Sequence, residues 1–122
     1  MNKNYFFDTY ALIEIIRGSE NYKPYVDCKI ITTIFNLAEL NYSLKKEMSK
    51  DMADGYTEKF SEFSVSVSIE DIKQAMDLKS SNRDLSIPDA IGYTAAKRHS
   101  VGFLTGDNYF KDLANVEFIK KD

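Results

Sequence analysis

The hydrophobic positions of this chain follow two different periods, and the two kinds of segment alternate along the sequence. Short apolar runs and one Ser-Val alternation are typical of strands; they lie at 4–7, 29–32, 64–68, 101–104 and 116–119. Helical spacing covers 10–17, 33 to about 50, 52–63, 69–80 and 90–99, with a short helical turn predicted at 20–26. This alternation predicts an α/β domain with a central, mainly parallel sheet of four to five strands, flanked by helices in three layers.

Length and composition place the chain among soluble globular proteins. Its 122 residues predict a single domain, 1–122, and 43% hydrophobic with 29% charged residues argues against disorder. No apolar run approaches the ~20 residues that a membrane helix needs, so no membrane partner is predicted. The segment 1–18 has too short an apolar core for a signal peptide. The single cysteine, Cys28, excludes an internal disulfide and fits a cytoplasmic location.

The net charge of −3 restricts how this chain could bind nucleic acid. Its 19 acidic residues outnumber 16 lysines and arginines, whereas proteins that neutralise phosphates are more often basic. If nucleic acid is the partner, basic residues must cluster locally, or metal ions or another subunit must supply positive charge.

Four acidic residues occupy positions that solubility does not explain. Asp8 and Asp107 follow predicted strands, and Asp89 lies in the first turn of a helix that Ser86 can cap. Glu39 lies inside the apolar helical stretch FNLAEL. In a parallel sheet the carboxyl ends of the strands share one edge, and the helix N-termini face it. We therefore expect these four side chains to converge at that edge.

Carboxylates held close together cannot all stay ionised unless a cation neutralises them. A site with oxygen ligands and no His or Cys favours a hard ion, Mg²⁺ or Mn²⁺. Such an ion can orient a phosphodiester, activate a water molecule and stabilise the leaving oxygen. This set of four acidic residues therefore favours metal-dependent hydrolysis of a phosphodiester.

Each acid also has a purely structural interpretation. Asp8, Asp89 and Asp107 could act as helix caps or turn residues, but a partly buried Glu39 needs a partner. An aspartate-nucleophile phosphatase is a rival interpretation of Asp8, although that chemistry requires a second acid where this chain has Tyr10. A receiver-type phosphoacceptor requires an acidic pair, and Phe7 precedes Asp8.

Three segments, FFDTYALIEII, TTIFNLAEL and IPDAIGYTAAKRHSVGFLTGDNYF, resemble the PIN domain family along essentially the whole chain. They are most similar to the VapC-type toxin ribonucleases of prokaryotic toxin–antitoxin pairs. The resemblance implies an endoribonuclease that uses Mg²⁺ or Mn²⁺ held by Asp8, Glu39, Asp89 and Asp107. It also implies an RNA substrate, a homodimer and a cognate antitoxin. The residues expected to contact the substrate or to support the acids are Thr9, Thr33, Asn36, Thr105 and Asn108.

One position departs from the pattern of the family. Many relatives carry a further acid two residues after the last one, as T-x-D-x-D-F, and here that position is Tyr109. One-ion and two-ion mechanisms therefore both remain open. So does a PIN module that acts in RNA processing without an antitoxin, or that only binds RNA or protein.

Overall fold

The protein is described by a computed structural model that covers residues 3–122, so the first two residues of the predicted domain lie outside it. Its strands are β1 (Asn4–Phe7), β2 (Lys29–Ile31), β3 (Gly102–Thr105) and β4 (Val116–Phe118). Its α-helices are α1 (Thr9–Arg17), α2 (Ile34–Lys45), α3 (Lys50–Ser61), α4 (Ile69–Ser81) and α5 (Ile87–Arg98). Short 3-10 turns cover Glu20–Tyr25 and Asn108–Phe110.

The four strands form one sheet in the order β2-β1-β3-β4, and every pair is parallel. Parallel neighbours need crossover connections, and helices in this chain supply them. The two central strands are apolar on both faces, as a sheet covered on both sides requires. Because all strands run in one direction, their carboxyl ends lie along a single edge.

Successive residues of a strand point to opposite faces, so the sheet divides the core into two clusters. Tyr5, Phe7 and Leu104 belong to a cluster that includes residues of α1, α2 and α3. Phe6 and Phe103 belong to a second cluster with residues of α4 and α5. The predicted parallel sheet between helical layers is confirmed.

The predicted strand at 64–68 is wrong. Within residues 3–122 this segment forms a single bridge, between Thr32 and Ser64, and no strand. The Thr32 N–H donates to the Phe63 carbonyl at 3.1 Å, and the Val65 N–H donates to the Thr32 carbonyl at 2.9 Å. From Val65 to Ser68 the side chains are alternately half-buried and exposed, while Ser64 is half-buried. An alternation of this kind reports which side is covered, but it does not report a hydrogen-bonded ladder.

Polar side chains cap the α-helices, and the predicted caps at Asp8, Thr33 and Ser86 are confirmed. A side-chain oxygen of the N-cap residue accepts a backbone N–H in every α-helix, from Asp8, Thr33, Ser49, Ser68 and Ser86. Helix α5 begins at Ile87, three residues before the predicted start, because Ser86 and Pro88 form its first turn. Within residues 3–122 no helix is long and apolar enough to span a membrane.

Candidate active site

Asp8 lies where β1 ends and caps α1. Its Oδ1 accepts the Ala11 N–H at 2.8 Å, and its Oδ2 accepts the Thr105 hydroxyl at 2.5 Å. The side chain is almost completely buried. Burial raises the pKa of Asp8 well above its usual range, and the charges of Asp89 and Asp107 raise it further, against the two hydrogen bonds. Asp8 is therefore rigidly held and costly to ionise.

Asp107 lies just beyond β3, beside the same hydroxyl group. Its backbone N–H donates to Thr105 Oγ1 at 3.0 Å, and its Oδ1 accepts the Tyr109 N–H at 3.0 Å. Asp107 is thus the N-cap of the second 3-10 turn, Asn108–Phe110. The Thr105 hydroxyl donates to Asp8 and accepts from Asp107, which connects the carboxyl ends of β1 and β3.

Asp89 and Glu39 come from two neighbouring helices. Asp89 is the third residue of α5, and its N–H donates to Ser86 Oγ at 3.1 Å. Its pKa is raised to about 7, chiefly by burial, then by the charges of Glu39 and Asp107, while a hydrogen bond with Ser86 opposes the shift. Glu39 lies in the middle of α2 and is half-buried. The fold thus brings all four predicted acids into one electrostatic cluster.

Gly92, one turn below Asp89 on α5, allows the helices to approach closely. A Cβ added there would lie 2.8 Å from the Phe6 ring and 3.3 Å from Asn36 Oδ1. Asn36 is itself one turn before Glu39 on α2. The small residue at 92 therefore helps to place Glu39 and Asp89 opposite each other.

The supporting polar residues form a buried network beneath the cluster. The Thr9 hydroxyl donates to the Asn36 carbonyl at 3.3 Å, and the Thr33 hydroxyl donates to Asn36 Oδ1 at 2.7 Å. Asn36 Nδ2 is buried and has no hydrogen-bond partner in the part of the chain that the structure describes. Asn108 is exposed on the 3-10 turn. Of the five predicted residues, Thr105 alone bonds directly to one of the four acids.

The cluster carries negative charge without local compensation. Within residues 3–122, no lysine or arginine forms an ion pair with any of the four acids. Over the same residues, no three Asp, Glu, His or Cys side chains are close enough together to hold a metal ion as they stand. The donor set is all oxygen and therefore fits a hard cation, which would offset the cost of ionising Asp8 and Asp89. The side chains would have to close around the ion.

Lys120, Gly106 and Tyr10 lie together at this edge, and their contacts were not predicted from the sequence. Lys120 Nζ donates to the Gly106 carbonyl at 3.1 Å. A Cβ on Gly106 would overlap the Tyr10 ring and lie 2.6 Å from the Ile119 carbonyl. The sequence feature that could have indicated a basic residue here is the pair Lys120-Lys121, which directly follows the last predicted strand, at the carboxyl edge of the sheet.

Fold and site together define a parallel α/β domain with an acidic site at the carboxyl edge of its sheet. A family model for the PIN domain matches residues 5–116, and the chain belongs to the PIN domain family. PIN domains are generally nucleases and generally use divalent metals. A comparison with curated proteins gives no match.

Solved structures share this fold. A toxin–antitoxin complex from Klebsiella pneumoniae is similar with a TM-score of 0.73 and 20% identity, over 93% of this chain and 95% of that chain. VapBC2 from Rickettsia felis, bound to a DNA fragment from its promoter, has a TM-score of 0.72 and 17% identity, over 98% and 99%. VapBC-5 from Mycobacterium tuberculosis has a TM-score of 0.67 and 16% identity, over 96% and 98%.

Proposed function

We propose that this chain is a Mg²⁺- or Mn²⁺-dependent endoribonuclease and the toxin of a toxin–antitoxin pair. The observation that carries the proposal is the convergence of four acids that no basic side chain in residues 3–122 neutralises. Burial and the charge of Glu39 raise the pKa of Asp89 to about 7, so a bound cation would offset the cost of ionising this carboxyl group.

Asp8, Glu39, Asp89 and Asp107 would hold the metal. When bound, the ion would neutralise their charge, orient a phosphodiester and lower the pKa of a water molecule. Thr105 and the Ala11 N–H hold both oxygens of Asp8, so this carboxylate keeps one orientation. Each carboxylate oxygen has two lone pairs, and these contacts therefore leave Asp8 able to bind a cation.

Membership of the PIN family supports the proposed nuclease activity, and the solved structures with the same fold support the proposed antitoxin partner. The Rickettsia felis and Mycobacterium tuberculosis neighbours are VapBC toxin–antitoxin proteins. By analogy, this chain would form a homodimer, pair with a cognate antitoxin and act in the cytoplasm as one nuclease domain spanning 1–122. Light scattering of the purified chain tests the dimer. Growth arrest on expression, relieved by co-expression of the protein encoded by the adjacent gene, tests the toxin role.

The decisive experiment is a cleavage assay on RNA and on single-stranded DNA of the same sequence, with Mg²⁺ or Mn²⁺ and with excess chelator. We expect metal-dependent cuts in RNA, and a loss of at least about 100-fold for Asp107→Asn and for Glu39→Gln. Asp112→Asn is the matched control, because Asp112 is an exposed acid five residues from Asp107. Circular dichroism checks that each variant is folded.

Undiminished cleavage in chelator or in Asp107→Asn would contradict the proposal. Calorimetric titration with Mn²⁺ addresses the alternative of a binding module. A chain that binds RNA but takes up no Mn²⁺ and cuts nothing would be such a module. Release of phosphate from a small phosphomonoester, without any cut in RNA, would instead favour a phosphatase.

A further inference from the structure

The last four residues, 119–122, form a strap along the carboxyl edge of the sheet. The Ile119 N–H donates to the Thr105 carbonyl at 2.8 Å, and the Tyr22 hydroxyl donates to the Ile119 carbonyl at 2.6 Å. At the far end, Asp122 accepts the backbone N–H groups of Glu20 and Asn21 at 2.8 and 2.9 Å. The strap is therefore fixed on both sides of its middle residues.

Lys120 is in the middle of the strap, beside the turn that presents Asp107. Its backbone is held because Asn21 Nδ2 donates to its carbonyl at 3.0 Å. Its ammonium group donates to the Gly106 carbonyl at 3.1 Å and lies 5.8 Å from the centre of the Tyr10 ring. Gly106 directly precedes Asp107 in the chain. The positive charge is thus fixed at the rim of the acidic cluster.

The charge of Lys120 is not used by any acid in the part of the chain that the structure describes. Among the lysines and arginines there, its side chain alone donates a hydrogen bond to residues 105–107. An ammonium group carries three donors, and one goes to Gly106. Two donors and a full charge remain available on an exposed side chain.

A substrate phosphate needs such a group at this edge. The acidic cluster does not attract the RNA backbone, and the net charge of the chain is −3, so attraction has to come from local cations. A lysine at the rim would bind a backbone phosphate as a point charge without neutralising the acids that hold the metal.

We propose that Lys120 binds a phosphate of the RNA backbone next to the scissile bond and so positions the strand over the acidic cluster. This role rests on the proposed nuclease function. Tyr10, whose ring lies beneath the ammonium group and whose hydroxyl accepts the Lys121 N–H at 3.0 Å, forms the floor of this phosphate site.

The test compares Lys120→Ala and Lys120→Arg with Lys29→Ala. Lys29 is an exposed lysine at the start of β2, so the control removes the same charge at the opposite edge of the sheet. With a single-site RNA and Mn²⁺, we expect Lys120→Ala to raise KM about tenfold with kcat nearly unchanged. Lys120→Arg should have a KM close to that of the wild type, because it keeps the positive charge, and Lys29→Ala should match the wild type.

Equilibrium binding separates this proposal from the nuclease proposal. In a Glu39→Gln background, where cleavage should be at least about 100-fold slower, Lys120→Ala should weaken RNA binding and lower the slope of log K against log salt by about 0.7. If the wild type does not cleave RNA, the nuclease proposal fails, while this binding comparison still decides the role of Lys120. A KM and salt slope equal to those of Lys29→Ala would overturn the proposal. A lowered Tm with lost kcat and an unchanged KM would also overturn it, because Lys120 would then only anchor the strap.

Discussion

Thr105 Oγ1 donates a hydrogen bond of 2.5 Å to Asp8 Oδ2, although the two residues are 97 positions apart in the chain. Both side chains are buried, Thr105 completely and Asp8 to within 1%. The bond joins the ends of β1 and β3, which are neighbours in the sheet. The Thr105 hydroxyl therefore helps the Ala11 N–H to orient the most deeply buried acid of the cluster.

Replacing this hydroxyl tests its role. Thr105→Val keeps the shape of the side chain but leaves Asp8 Oδ2 and the Asp107 N–H without their partner. We expect a loss of about 1–3 kcal/mol in the free energy of unfolding and a weaker affinity for Mn²⁺. Urea denaturation and calorimetric titration measure the two effects.

Thr105→Ser is the matched control, because it restores the hydroxyl and removes only a methyl group. It should recover Mn²⁺ affinity even where it loses some stability to the small cavity. Equal Mn²⁺ affinities for the Val and Ser variants would show that this hydrogen bond does not orient Asp8.

The raised pKa of Asp89 predicts a particular dependence of stability on pH without metal. The folded-state pKa of about 7 is above the unfolded value of ~3.9, so the folded state binds more protons between these two values. Asp89 therefore contributes full stability below about pH 4, and this is lost as the pH rises to about 7. Three pKa units correspond to up to about 4 kcal/mol.

Asp89→Asn should consequently be more stable than the metal-free wild type at pH 8 and similar to it at pH 4. Asp84→Asn, at an exposed position on the loop before α5, is the control and should follow the wild type at both pH values. Chemical denaturation with chelator present gives the comparison. Parallel pH curves for wild type and Asp89→Asn would rule out the raised pKa.

Metal binding should stabilise the folded protein. An ion that binds only the folded state, at a hundred times its Kd, adds about 2.7 kcal/mol, roughly 10 °C in Tm for a domain of this length. We expect Mn²⁺ to raise the Tm of the wild type and chelator to reverse the rise. Asp107→Asn should lose most of the shift, while Asp112→Asn should keep it. A shift of the same size in Asp107→Asn would place the bound ion elsewhere.

Gly106 allows the strap and Tyr10 to pack against the turn after β3. Gly106→Ala would drive a Cβ into the Tyr10 ring and the Ile119 backbone, so we expect it to destabilise the fold by about 1–3 kcal/mol. Gly55→Ala is the contrasting variant, because nothing lies within 4 Å of its added Cβ in helix α3. It should stabilise the protein by up to about 1 kcal/mol. Thermal unfolding would contradict this explanation if both variants shifted Tm in the same direction.

Much of this fold was predictable because its elements are coded locally. Helical spacing located the five α-helices, and Ser86 caps α5, as its position before that helix suggested. The segment 64–68 misled the prediction, since alternation describes partial burial and not pairing. Pairing depends on which backbone lies alongside, and for this segment that is only one residue, Thr32.

The sequence alone predicted which four acids lie together and the edge at which they meet. Strand ends and helix N-termini converge in any parallel sheet, so Asp8, Asp89 and Asp107 could be assigned to one edge from their local positions. Their ionisation could not be assigned in this way, because a pKa depends on burial and on charges that arrive from other elements. Only the tertiary structure decided that the Thr105 hydroxyl holds Asp8 and that Lys120 reaches the rim. Both contacts join residues from different elements of the fold, and a local sequence pattern cannot predict which side chains meet across elements.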